Sequence, residues 1–255
     1  MRIRVFDTPQ EAGIYVGALA EQVILAKAEP VLGLATGSTP VTFYDALVKL
    51  HDCGLDLSRV VTINLDEYVG LSEQHPQSYH YFMTEHLFSR VHLDPARTHL
   101  PRGDAPDWAA ECARYDEVLS RHPIDLQILG IGANGHIGFN EPDDLLVART
   151  HVVELRPETV ASNARFFADS EEVPKRAITM GVQAILQAER IVLMAFGSQK
   201  AEIVAKAVID NVRTDVPASI LQLHRQVTVV LDRASASALL TADGKLRLEV
   251  AQGTQ

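Results

Sequence analysis

Cysteine is almost missing from this chain: Cys53 and Cys112 are the two present in 255 residues. They have no C-x-x-C spacing, which excludes a disulfide framework and a thiolate metal site. Both read as small core or surface residues of a protein in a reducing cytoplasm. Long apolar runs are also missing. No window approaches the roughly 20 uninterrupted apolar residues of a membrane span. At the N-terminus, Asp7 and Glu11 interrupt the place where a signal peptide has its apolar centre, so export is not expected. Nor is there a basic excess. The 23 Lys and Arg are outnumbered by 33 Asp and Glu, a formal charge of −10 that argues against a nucleic-acid surface. A local pocket can still be positive on a negative protein, so an anionic small molecule stays open as a substrate.

What is present is an ordinary globular composition, 47% hydrophobic and 22% charged, enough for one sizeable core. No repeat, low-complexity segment or Pro/Gly/Ser linker divides it. Short continuous apolar runs at Val31–Ala35, Val60–Leu65, Leu126–Ile131, Ile191–Phe196 and Val227–Leu231 have the character of strands covered on both faces. Helical patterns lie between them, at Gln10–Ala28, Val41–Leu50, Trp108–Ser120, Ala177–Gln187 and Lys200–Asn211. This alternation predicts an α/β fold: a single doubly wound domain with a mostly parallel open sheet and helices on both faces, Rossmann-like in layout. Glu154–Pro174 is polar apart from Phe166 and Phe167 and contains two prolines. A mobile surface segment is expected there, a lid drawn at 155–176.

In such a sheet ligands bind at the carboxyl ends of the strands. Four unusual stretches each follow a predicted strand: GLATGSTP, LDEY, GIGANGHIGFNEP and GSQK. In the first, Pro40 suits the first helical position and Ser38 or Thr39 the N-cap. Backbone N–H groups and hydroxyls of Thr36, Gly37, Ser38 and Thr39 would then face an anion. The stretch lacks the lysine of a nucleotide P-loop. A plain capping turn competes with this reading. Lys200 in GSQK favours the anion, and Arg165 in the expected lid adds a second cation. Asp66-Glu67 ends the second run as a pair of acids that can cap a helix, bind metal or act as a base. No acid–histidine cluster accompanies them at ligand spacing, which weakens the metal reading. A carboxylate partly desolvated in a cleft can serve as a general base near neutral pH.

The third stretch, Gly130–Pro142, begins as G-x-G-x-x-G, the dinucleotide fingerprint. That fingerprint needs a helix to begin at its last glycine, yet Gly138, Asn140 and Pro142 all oppose one. Glu154, near the spacing at which the motif wants an acid, keeps hydride transfer as a weak rival. The glycines are expected instead to let the backbone turn sharply beside a ligand. His136 is then presented at the strand end, and Glu141 can return to its ring nitrogen.

Taken in order, TGSTP, LDEYVGL, QSYHYFM, GANGHIGFNEP, ARFF…VPK, GSQKA and LQLH resemble the glucosamine-6-phosphate deaminase family, from about residue 30 to residue 232. LDEYVGL and GHIGFNEP are its most specific segments. The resemblance implies a hydrolase-type deamination in cytoplasmic amino-sugar catabolism. Glucosamine 6-phosphate and water become fructose 6-phosphate and ammonia, with no metal or organic cofactor. It also implies roles for individual residues. His136, assisted by Glu141, would open the pyranose ring. Asp66 would carry a proton from C2 to C1. Thr36, Gly37, Ser38, Thr39, Arg165 and Lys200 would hold the 6-phosphate.

Two departures matter. Some members of the family have aspartate where this chain has Asn134. An amide can orient His136 but cannot stabilise an imidazolium by charge, so more of that burden is expected to fall on Glu141. Allosterically activated hexameric members have basic residues after the Arg-Thr that follows FNEP. Here Arg149-Thr150 leads into His151-Val152-Val153-Glu154, a poor second phosphate site, and no activation by N-acetylglucosamine 6-phosphate is expected. The chain is expected to be a monomer or small homo-oligomer. Rival readings are 6-phosphogluconolactonase, a galactosamine-6-phosphate enzyme, and a non-catalytic sugar-phosphate sensor. The acids and HIGFNEP weigh against the first, and the intact set of Asp66, His136 and Glu141 against the last.

Overall fold

The computed structural model describes residues 1–164, 167 and 173–240. Its frame is a seven-stranded sheet in the order β1 (Arg2–Phe6), β10 (Val227–Asp232), β9 (Arg190–Ala195), β6 (Leu126–Gly130), β2 (Val31–Leu34), β3 (Val61–Asn64), β5 (Thr98–His99). Every neighbouring pair in it is parallel. The central strands are apolar throughout because helices cover both faces, and alternate side chains feed two cores. Along β9, Ile191, Leu193 and Ala195 join Ile63, Leu129 and Val229 on one face. Val192 and Met194 join Leu32, Leu34, Ile128 and Val230 on the other.

The helices are α1 (Pro9–Ala26), α2 (Val41–Asp52), α3 (Tyr79–His86), α4 (Trp108–Arg121), α5 (Pro157–Asn163), α6 (Val182–Gln187) and α7 (Ala201–Val208). The Thr8 hydroxyl accepts the Glu11 N–H, and the Glu11 carboxylate accepts the Thr8 N–H in return. With Pro9 beginning the helix, α1 has a complete capping box.

Strand order reverses between β2 and β6. From β2 the chain winds outward through β3 to β5, then returns to the other side of β2 and winds the opposite way. The carboxyl ends of β2 and β6 therefore flank the switch point, where an open α/β sheet has its natural crevice. Above this rim lies a second, antiparallel sheet ordered β4 (Asp66–Tyr68), β8 (Arg176–Thr179), β7 (His151–Glu154).

The second sheet corrects one expected helix. Ala177–Gln187 is not continuous: Arg176–Thr179 is strand β8, and α6 begins at Val182 after Gly181. Ile178 and Thr179 are β-branched and bury well on a pleated surface, which outweighs an apolar spacing that also fits a helix. Among the described residues, no helix is long and apolar enough to cross a membrane.

Candidate active site

The loop after β2 carries Thr36, Gly37, Ser38 and Thr39 to the rim. Neither Ser38 nor Thr39 caps α2, as the sequence suggested. Pro40 occupies the N-cap position in an α-like conformation with no side-chain cap, and the helix begins one residue later, at Val41. The loop is held from behind instead. Buried Tyr44 donates its hydroxyl to the Ala35 carbonyl, and burial pushes its phenol well up from the ordinary value.

Asp66 and Glu67 are both buried yet do different work. Glu67 holds α3, accepting the backbone N–H groups of Tyr79 at 2.9 Å and His80 at 3.0 Å. It also accepts its neighbour Tyr68 N–H at 2.8 Å, and His80 Nδ1 lies 3.1 Å from it. The capping interpretation of this acidic pair thus belongs to Glu67. Asp66 has 5% of its surface exposed and faces the turn that follows β6. Burial first, and the neighbouring Glu67 charge second, hold its carboxyl well above the usual carboxylate range.

The His136 turn is shaped by two glycines. A Cβ on Gly132 would lie 2.3 Å from His136 Cε1, so the imidazole packs flat against a position that admits only hydrogen. Gly138 has φ +57°, and a Cβ there would stand 3.3 Å from Asp66 Oδ2 and 3.1 Å from Thr179 Oγ1. The Asp66 carboxylate thus faces this turn at a position where even a methyl would be crowded. Thr179, opposite Asp66 in the β4–β8 ladder, accepts the Phe139 N–H at 3.1 Å. Asn140 Nδ2 donates to the Ile137 and Met180 carbonyls, each at 2.9 Å.

Glu141 Oε2 lies 3.4 Å from His136 Nδ1, a contact too poorly aligned to be a full hydrogen bond. Asn134 Nδ2 donates to the same oxygen at 2.8 Å, and Asn134 Oδ1 accepts the His136 backbone N–H at 3.2 Å. Asn134 therefore acts on the imidazole through the main chain and through Glu141, without a hydrogen bond to the ring. Burial alone would raise the Glu141 pKa. The interactions with His136, and then with Thr159 and Asn134, outweigh it and leave the carboxylate below its ordinary value. Two buried acids, one on β4 and one on the turn after β6, are thus driven in opposite directions.

Lys200 reaches the same turn from the end of β9, donating from Nζ to the Ile131 carbonyl at 2.7 Å. Beneath it the Gly197 N–H is held by both carboxylate oxygens of Asp232, each at 3.1 Å. Asp66, His136, Glu141, Asn134 and Lys200 all gather on residues 131–141. Arg165 lies outside the described residues, as does part of the expected lid. What is described of that segment is residues 155–164, Phe167 and residues 173–176. A cavity of about 920 Å³ opens beside the turn, lined by Asn134, Pro142, Arg156 and Arg213 among others, but by neither Asp66 nor Lys200. The converging side chains, and not this depression, mark the candidate site. Among the described residues, no group of three or more His, Cys, Asp or Glu is placed to hold a metal ion.

Sequence reasoning missed Thr179, Asn140, Tyr44 and Tyr79 as parts of the site. QSYHYFM stood out in the sequence as a motif, but no single-chain signal pointed its first tyrosine toward the rim.

Fold and site together define a doubly wound α/β protein whose acid–base groups meet at the switch point of the sheet. The family model described as glucosamine-6-phosphate isomerases/6-phosphogluconolactonase matches residues 7–230, and the chain belongs to that family. A glucosamine-6-phosphate deaminase of Halothermothrix orenii is 47% identical over 241 residues, covering 94% of this chain and 100% of the relative. One from Thermoanaerobacter sp. is 44% identical over 247 residues, covering 96% and 98%. A solved monomeric glucosamine-6-phosphate deaminase superposes with a TM-score of 0.91 at 44% identity, covering 93% of this chain and 100% of that one. The 6-phosphogluconolactonase of Leishmania guyanensis, at 21% identity, TM-score 0.74 and coverage of 94% and 99%, shares the fold.

Proposed function

We infer that this chain is a glucosamine-6-phosphate deaminase, converting D-glucosamine 6-phosphate and water to D-fructose 6-phosphate and ammonia. The observation that carries the reading is that buried Asp66 faces the His136–Glu141 turn across Gly138, with the two acids tuned apart. Pairs of carboxyls driven in opposite directions are what a site needs to divide base and supporting roles.

In this reading Thr36, Gly37, Ser38, Thr39 and Lys200 hold the 6-phosphate, and Arg165 adds a second cation. His136 opens the pyranose ring by moving the proton of the O1 hydroxyl to the ring oxygen. Glu141 and Asn134 keep the imidazole in register. Asp66, made more basic by burial, removes the C2 proton of the open-chain aldose, giving an enolamine, and returns a proton to C1. The resulting C2 imine adds water and expels ammonia, leaving the ketone. These steps draw on side chains and water. A single base serving two adjacent carbons contributes about 10²–10⁴-fold, and anchoring of the phosphate much of the remainder. Amino-sugar breakdown in the cytoplasm, by a monomer or small homo-oligomer, fits this chemistry.

The test is ammonia release from glucosamine 6-phosphate, with galactosamine 6-phosphate and 6-phosphogluconolactone in parallel. Turnover of the gluco amine is expected to dominate. Faster turnover of the galacto epimer would reassign the substrate, and lactone hydrolysis without deamination would replace the reading.

A further inference from the structure

We propose that Lys200 is a positioning residue for the imidazole as well as an anion anchor, holding one end of the peptide group against which His136 packs; this rests on the deaminase reading above.

The peptide that joins Ile131 to Gly132 is gripped at both ends. Its carbonyl accepts a hydrogen bond from the Lys200 ammonium at 2.7 Å. Its N–H donates to the His136 carbonyl at 2.9 Å. The Gly132 carbonyl in turn accepts the Gly135 N–H at 3.1 Å, closing the turn one residue before the histidine. The ring lies against this same unit. A Cβ on Gly132 would meet Cε1, Nε2 and Nδ1 of His136 at 2.3, 2.4 and 2.5 Å. Main chain and imidazole of His136 therefore both bear on Gly132, and the lysine fixes the peptide behind it. Lys200 is itself firmly mounted: its backbone N–H donates to the Gly197 carbonyl at 3.0 Å, and the Gly197 N–H is held by Asp232.

A hydrogen bond from a charged donor is roughly twice as strong as a neutral one. It also polarises the peptide it engages, which makes the Gly132 N–H a better donor to His136. An ammonium has three N–H donors, so holding a carbonyl is compatible with meeting a phosphate oxygen. Lys200 thus links the substrate's C6 end to the imidazole that opens the ring. A catalytic group displaced by about 1 Å can lose on the order of 10²-fold.

Lys200→Met in the full-length enzyme removes the ammonium and keeps most of the stem. Amide hydrogen exchange in phosphate-free buffer reads the turn with no anion involved. Gly132 exchange is expected to quicken by about tenfold, the scale of one hydrogen bond, with Leu129 in β6 unchanged. The nuclear Overhauser contact between the Gly132 α-protons and His136 Hε1 should weaken. At saturating substrate kcat should fall by at least about tenfold. An anchor alone would raise KM and leave the exchange rate and the ring contact as they are. Wild-type Gly132 exchange overturns the proposal, as does an undiminished ring contact or a wild-type kcat. Lys200→Ala, read in the same way, serves if Lys200→Met does not fold. Should the wild type release no ammonia, the functional reading fails by itself. Exchange and ring contact then still decide whether the lysine holds the turn: both altered supports it, and either unchanged overturns it.

Discussion

A carboxyl with 5% of its surface exposed beside a second buried acid is expensive to ionise. For Asp66 the folded-state pKa lies above the unfolded one. Below about pH 4 both states are protonated and no penalty exists. As pH rises through the folded value, the native state must hold a buried charge and stability is lost. Asp66→Asn should therefore raise Tm at neutral pH, with the gain vanishing near pH 4, while turnover falls by about 10²–10⁴-fold. Thermal melts across pH and an ammonia assay check both. Wild-type turnover in the variant would remove Asp66 from its role. Asn134 supplies a second prediction at this scale. Aspartate there would lose the 2.8 Å donor to Glu141 and set two carboxylates side by side. Like charges raise one another's pKa, so Glu141 would need a higher pH to ionise. Asn134→Asp is expected to stay active with the acid limb of kcat/KM shifted upward; an unmoved limb would make the position electrostatically silent.

Among the elements, the turn from Gly130 to Pro142 has the least slack. Gly132→Ala would drive a methyl into the imidazole 2.3 Å away. We expect kcat to fall by at least about 10²-fold through displacement of His136, with a modest loss of Tm. A crystal structure showing an undisturbed ring in a fully active variant would contradict this. The turn was legible in the sequence because Gly138, Asn140 and Pro142 forbid a helix, and the β2, β6 and β9 runs were legible from their apolar continuity. The β4–β8–β7 sheet was not. Its strands are three or four residues long, and DEY and HVVE carry acids or a histidine that do not look like sheet. β4 meets β8 across more than a hundred residues of chain and β7 meets it across more than twenty, and no local pattern carries that information. For the same reason Glu67 and Asp66 could not be told apart: what separates them is the position of α3.

At the scale of the whole molecule, the surface around Arg149 bears on regulation. Arg149 pairs with Asp116 at 3.5 Å, and the Thr150 N–H donates to the same carboxylate at 3.0 Å. His151, its pKa lowered chiefly by burial, adds no charge at neutral pH. This patch offers no surplus cation to a second phosphate. Initial rates against glucosamine 6-phosphate should be hyperbolic and unaffected by N-acetylglucosamine 6-phosphate. Sigmoidal curves that the ligand straightens would refute this. The frame itself is neutral toward chemistry: the apolar strands supply a rim with a switch point, and only the residues standing on it select a reaction.

Thr179 touches both halves of that chemistry, facing Asp66 across the ladder and gripping the main chain of Phe139. The acid thus stands on the small leaf, and the turn that bears the imidazole is pinned to that leaf through this threonine. Substitutions confined to this leaf can retune proton handling while strand order, helices and anion loop stay as they are. One architecture can in this way serve both the isomerases and the lactonases grouped in its family.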